Sequence, residues 1–591
     1  MSIQAPVHYQ IAANQFNGHI FDIKMTVSTS EQSHCNVSLP SWIPGSYMIR
    51  DFAKNIVSIN AYQLDGRELA LEKLDKQTWR INNNKSGFEL TYQVYAFDTS
   101  VRTAYLDQFR GFINGTSAFI KVPEFENSKH TVEILKPDAL PHWQLATGLT
   151  REDSGDMFDF GTFSAPNYLE LIDYPFEMSD FSTVRFDVYD IPHYVVISGV
   201  HNADTDRIAK DLTPICQHHL DYFEKPYPID QYLFMVNVVG DGFGGLEHLN
   251  STALLCGRST LPTAQDPSDK ISDEYQTFLS LSSHEYFHTW NVKRIRPAEF
   301  INPNIGTETY TRQLWFYEGI TSYIDDWSLN QTELVDANQY LNVITKTLQR
   351  LENCQGRFVQ STVDSSFDAW TKFYKQDENA TNAIVSYYVK GAVAALCFDL
   401  LLRKETNQED NLQTIMRDFW QDWAKGDYQG THYSSFIDKV QALLKLDVTE
   451  QFKAWLEGTE DIPIANFLAE FGVELTKVDL KPRQLELGIN VKPANLGINI
   501  INVATNSAAM HAGLSANDNL IAINQQQITT ANWQAVLASV AHLEKVTIHG
   551  FRRDELFTTT LNTSSLKAKQ EIKLKIVDED KAKLWLKRVN K

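Results

Sequence analysis

The stretch His284-Glu285-Tyr286-Phe287-His288 decides how this chain of 591 residues is read. It has the form His-Glu-x-x-His, and Glu318 follows it further along. On an α-helix, positions i and i+4 lie one above the other on the same face, so two imidazoles at this spacing can hold one metal ion. Glu285 stands one residue after the first histidine, facing the open side of such a metal, where it can take a proton from water. Two histidines, a glutamate and one open position make the ligand set of a zinc hydrolase, whereas structural zinc is usually fully enclosed. The plainer reading is a surface helix with two solvated histidines, and the flanking sequence argues against it. Ser272 predicts a helix cap, and Asp273 and Glu274 suit the positive N-terminal end. Tyr275, Phe278, Leu279 and Ser282 then form one face up to the motif. No Pro or Gly interrupts the chain from Ile271 to Arg296, and Pro297 predicts the stop.

Glu318 sits in a second helical pattern, Arg312 to Leu329, whose stripe is Leu314, Trp315, Ile320, Ile324 and Trp327. A carboxylate among aromatics is costly to bury without a partner, and a metal would remove that cost. The plainer reading is an exposed helix carboxylate. Gly319 in mid-helix costs about 1 kcal/mol against Ala, which points to close approach by another backbone or by a substrate.

Composition bounds the rest. The chain carries 53 basic and 74 acidic side chains, a formal charge of −21. That argues against nucleic acid and anionic membranes as partners and is compatible with substrates carrying a positive amino terminus. The cysteines, Cys35, Cys216, Cys256, Cys354 and Cys397, are scattered, odd in number and without a C-x-x-C, so a reduced compartment, the cytoplasm, is expected. The start, Met1 to Pro6, lacks a basic and apolar leader, and no run of about 18 apolar residues predicts a membrane span.

The expected fold class is multidomain α+β. Residues 1–175 read as an all-β domain, with alternating stretches such as Phe88 to Tyr95 and turns at Pro44-Gly45-Ser46 and Asn114-Gly115-Thr116. Residues 176–330 read as an α/β unit in which strands such as Tyr232 to Val239 precede the two motif helices. Residues 331–465 are helical, as in Gly391 to Arg403 and Ser435 to Leu444. Strands return over 466–570 with one helix around Trp533 to Ala541, and 571–591 reads as a tail.

Several segments together resemble the M61 metallopeptidases, the glycyl aminopeptidase family. They are Ser41 to Phe52 (SWIPGSYMIRDF), Gly244-Gly245-Leu246-Glu247-His248, His284 to Pro297 (HEYFHTWNVKRIRP) and Glu318 to Tyr323. The resemblance covers nearly the whole chain and implies a thermolysin-like (gluzincin) catalytic domain, similar to the M1 aminopeptidases. The interval from His288 to Glu318 is longer than in M1 enzymes, so the inter-helix connection differs. M1 enzymes bind the substrate amine through the glutamate of a Gly-x-Met-Glu-Asn strand. The resemblance places Glu247 in that role, with Gly244 and Gly245 beside an extended substrate; the plainer reading is a glycine-rich loop with a solvated carboxylate. It also matches Tyr388-Val389-Lys390-Gly391 to the M1 segment whose tyrosine stabilises the oxyanion. Here the plainer reading is a core tyrosine, with Tyr387 as the alternative donor. The segments Asn506 to Leu514 and Asn517 to Asn524 resemble a PDZ domain, which implies Leu487-Gly488-Ile489 as a carboxylate loop for a peptide ligand.

The resemblance thus implies an aminopeptidase with one Zn²⁺ on His284, His288 and Glu318. Glu285 and Tyr388 are its catalytic groups, and peptides with a free N-terminus and small first residues, Gly or Ala, its substrates. Two alternatives stay open: a zinc endopeptidase with the same ligands, and a non-catalytic PDZ-type peptide-binding protein, against which the intact Glu285 argues. His218-His219 reads as surface or packing, and the cluster Lys293, Arg294 and Arg296 as a helix-end charge complement or a link to nearby carboxylates. The sequence does not give the oligomeric state.

Overall fold

The computed structural model describes residues 5–83, 85–480 and 484–589. The reading of Met1 to Gln4 therefore lies outside the described residues. The chain divides into two compact units, one of residues 1–310 and 416–432, the other of 311–415 and 433–591.

The first unit opens with an eight-stranded sheet whose central strands are Val7–Gln15, Ile20–Val27 and Phe88–Tyr95. Phe88, Leu90, Tyr92 and Val94 are buried while the residues between them are not, the alternation of a sheet with one face on a core. Three buried phenols end on successive carbonyls: Tyr92 on Ala118, Tyr168 on Phe119 and Tyr9 on Ile120. A tyrosine buried without such a bond would pay the desolvation of its hydroxyl.

The same unit contains a five-stranded sheet in the order Ser182–Val188, Ile191–Ser198, Tyr232–Val239, Ser251–Gly257 and Phe243–Glu247. Tyr232–Val239 lies between two parallel neighbours and is buried on both faces, which is why it reads as an unbroken apolar run. Phe243–Glu247 pairs antiparallel with Ser251–Gly257 and forms the edge.

The motif helix spans Asp273–Phe287. Ser272 caps it by accepting from the Tyr275 N–H at 3.2 Å. Tyr275, Phe278, Leu279 and Ser282 are all buried, as their spacing predicts. The helix stops at His288, well short of Arg296. After it the chain turns back on itself, with Val292 at a φ of 134°, a conformation unfavourable for a β-branched residue. Arg294 holds the turn by donating to the carbonyls of Leu249, Thr289 and Pro228 at 2.6–2.9 Å. The buried Lys293 pairs with the half-buried Asp173. The basic cluster is therefore tied down by the fold.

In the second unit, Trp315–Gly319 forms one π-helical turn that runs into the helix Ile320–Gln331. The long helix Tyr387–Glu405 is buried almost all round. Together with the preceding turn it is long and apolar enough to cross a membrane by length and composition, though Lys390 and Asp399 interrupt its apolar run. Yet 83% of its most apolar window is buried within the protein. The C-terminal sheet runs Ile489–Pro493, Ile498–Val503, Asn519–Ile523, Lys545–Arg552 and Glu555–Asn562, with the helix Trp533–Val540 on its core. The last segment has a place in this unit. Gln570–Ile576 pairs with Val473–Asp479. Beyond it, the carbonyls of Trp585 and Lys587 accept from Trp327 and Asn330 on the helix that follows Glu318.

Candidate active site

His284 and His288 lie one turn apart with ring centroids 4.6 Å from each other, as the i, i+4 spacing requires. His288 is 1% exposed, and its Nδ1 lies 2.7 Å from the Asn291 carbonyl. A carbonyl can only accept, so Nδ1 carries the proton and Nε2 keeps a lone pair for a metal. The chain turn after the helix thus orients the His288 ring as well as ending the helix. One residue before His284, Ser283 Oγ pairs at 2.8 Å with His219, which burial keeps neutral. His219 is a packing residue, as its sequence context implied.

Glu247, Glu285 and His288 bring donor atoms within 4.8 Å of one another, and all three are buried. Two carboxylates this close repel in a low-dielectric site. Both carboxylates occupy space that a glycine leaves. A Cβ at Gly245 would stand 2.0 Å from Glu285 Oε1, and a Cβ at Gly45 would stand 2.3 Å from Glu247 Oε1. Gly45 also has a φ of +98°, which other residues adopt at a cost. It lies in the Pro44-Gly45-Ser46 turn, so the N-terminal β domain supplies a wall of the site. Sequence reading saw that turn but assigned it no role. Gly244 is open: the nearest atom to a Cβ there is Arg102 Nη1, 3.8 Å away.

In the second unit, Glu318 is 2% exposed within the π-helical turn, among Trp315, Phe316 and Tyr317. A π-turn inside a helix is a common mark of a functional site. Gly319 is where the helices touch, since a Cβ on it would meet Gly391 Cα at 2.6 Å. That crossing packs the first turn of Tyr387–Glu405 against the turn that bears Glu318. It accounts for both glycines through the close backbone approach expected of Gly319. Lys390 donates to the carbonyls of Gly458 and Glu460, a structural role. Tyr387 and Tyr388 stack on each other and on Phe373. Tyr387 is fully buried and Tyr388 half-buried.

Leu487-Gly488-Ile489 leads into the edge strand Ile489–Pro493. Gly488 has a φ of +81°, and a side chain there would strike Ser507. The carbonyls of Leu487 and Gly488 accept from Ala509 and Ala504, which fixes the loop.

The chain matches the family description of the peptidase M61 N-terminal domain over residues 8–180, M61 glycyl aminopeptidase over 277–394 and the PDZ domain over 477–549. Among solved structures, an aminopeptidase N family protein from Idiomarina loihiensis is 40% identical, with a TM-score of 0.93 over 98% of this chain and 100% of its own. An M1 zinc metallopeptidase from Deinococcus radiodurans, bound to a Tyr-Ser-Ala substrate, is 12% identical, with a TM-score of 0.48 over 78% of this chain and 94% of its own. No curated protein sequence gives a significant match. With relatedness of that extent to the Idiomarina protein, and with both M61 domains recognised, the chain belongs to the M61 peptidase family and is a metallo-aminopeptidase with a C-terminal PDZ domain.

Proposed function

We propose that the protein is a zinc aminopeptidase that removes small N-terminal residues, Gly or Ala, from peptides. His284, His288 and Glu318 offer two imidazole nitrogens and a carboxylate oxygen, the donor set a catalytic zinc takes. When bound, zinc supplies a Lewis acid for the substrate carbonyl and lowers the pKa of water. Glu285 accepts the proton of the attacking water and returns it to the leaving amine. Tyr388 donates its phenolic proton in a hydrogen bond to the developing oxyanion. The edge strand Phe243–Glu247 receives the extended peptide, with Gly244 open beside it. Glu247 takes the free ammonium.

The observation that carries the aminopeptidase reading is the buried pair of carboxylates, Glu247 and Glu285, at the end of an open sheet edge. One carboxylate serves as base, and the second has a cation to hold. A charge-assisted hydrogen bond contributes about 1.5–3 kcal/mol, roughly 10- to 150-fold in kcat/KM. Acetyl-Gly peptides are therefore expected to be cleaved at least that much more slowly than Gly peptides, and Glu247→Ala to narrow the gap. Equal cleavage of acetylated peptides, at internal bonds, would replace this reading with that of an endopeptidase.

For the oxyanion donor, Tyr388→Phe is expected to lower kcat by about 10²- to 10³-fold. Tyr387→Phe should leave kcat within a few-fold of wild type. A reversed pattern would transfer the role to Tyr387. The family's small-residue preference is tested by ranking Gly, Ala, Leu and Phe anilides. The PDZ groove beside Leu487-Gly488-Ile489 is proposed to receive a peptide C-terminus along the edge strand. The described cysteines are all free thiols, which supports the cytoplasm as the place of action.

A further inference from the structure

Glu247 gives a short peptide a partner for its amino end, and a cation hydrogen-bonded to the same strand suits the other end. We propose that Arg102, from the N-terminal β domain, binds the C-terminal carboxylate of di- and tripeptide substrates. This assignment rests on the aminopeptidase reading and adds to it a preference for peptide length.

Arg102 reaches the edge strand Phe243–Glu247 and donates from Nη2 to the Gly245 carbonyl at 3.0 Å. Its neighbour Val101 anchors the segment in a small core with Ile43, Phe112, Leu246 and Ala253. The guanidinium is therefore held against the strand. It has five N–H donors to place. Among the described residues its Nε is buried without a hydrogen-bond partner, and no carboxylate pairs with it. That isolation stands out in a chain with 74 acidic side chains. Arg102 is half-buried, and its Nη1 lies on the open side of Gly244.

The spacing sets the ligand. Gly245 is two residues along the strand from Glu247, about 7 Å at roughly 3.3 Å per residue. An extended dipeptide separates its ammonium and carboxylate by the same two residues, and a tripeptide by about 10 Å, toward Gly244 and Nη1. A guanidinium fork fits a carboxylate with two parallel hydrogen bonds. Longer peptides would carry their carboxylate past it and offer only a neutral carbonyl.

The test compares kcat/KM for Ala-Ala and Ala-Ala-amide in wild type, Arg102→Ala and Arg102→Lys. Wild type is expected to favour the free acid by about 10- to 100-fold. Arg102→Ala should bring the ratio to about one, and Arg102→Lys should restore part of it, because it keeps the charge but not the fork. Calorimetric binding of the same two ligands to Glu285→Gln protein reads the preference with Arg102 intact and without turnover, so a poorly folded Arg102→Ala does not block the test. A wild-type ratio near one, an Arg102→Ala ratio like that of wild type, or equal affinities for acid and amide would overturn the assignment alone. Failure to release alanine from either dipeptide would overturn it together with the aminopeptidase reading.

Discussion

Glu285→Gln is expected to lower kcat by about 10²- to 10⁴-fold, the usual contribution of a general acid–base group. The amide keeps the volume of the carboxylate but cannot accept the water proton. Glu285 is 5% exposed, and its carboxylate fills the space that Gly245 leaves open, so an isosteric replacement fits without repacking. Zinc content and melting temperature should therefore stay near wild type while turnover falls. Near-normal turnover would remove Glu285 from the mechanism. Loss of metal in parallel with activity would instead make it a structural group of the metal site. A companion substitution tests the same geometry from the other side. Gly245→Ala puts a methyl group where the Glu285 carboxylate lies. It should impair kcat, because the Glu285 carboxylate and its Cγ, 2.0–2.8 Å from the new methyl, must shift from their place.

The other large effect concerns the metal. His288→Ala is expected to reduce bound zinc from about one per chain to background, and to abolish measurable peptidase activity. His288 is buried, and its Nδ1 is committed to the Asn291 carbonyl, so the substitution removes an imidazole whose Nε2 is already oriented. Elemental analysis of the purified protein is the direct readout, with circular dichroism to show that the fold survives. Full zinc occupancy in the variant would refute the ligand assignment. His219→Asn is the useful contrast. His219 pairs with Ser283 beside the motif but is assigned no metal, so its loss should cost stability and leave zinc bound.

The motif helix and the spacing of its two histidines were legible because their determinants are local. Ser272, the acids after it and the apolar face at Tyr275, Phe278, Leu279 and Ser282 act within a few turns. The helix end was not legible. Nothing between His288 and Arg296 breaks a helix by residue type. The stop comes from bonds made at a distance, with Arg294 reaching the carbonyls of Leu249 and Pro228, and Lys293 reaching Asp173. Such partners lie far away in sequence and leave no periodic trace. The apolar helix Tyr387–Glu405 shows the same limit from the other side. Its composition fits a membrane as well as a core, and burial within the second unit decides between them.

The sequence by itself determined which groups are offered for the proposed chemistry: two imidazoles and a carboxylate at helical spacing, a glutamate among aromatics, and a glycine-rich strand ending in Glu247. These follow from residue type and short-range geometry, which a linear string records in full. Only the tertiary structure decided what surrounds that chemistry. It set Gly45 of a distant β domain against Glu247, crossed two helices at Gly319 and Gly391, and brought Arg102 to the Gly245 carbonyl. Each of these joins elements far apart in the chain by close packing or a single hydrogen bond. Such contacts depend on how whole sheets and helices settle together, and no local pattern of residues announces them.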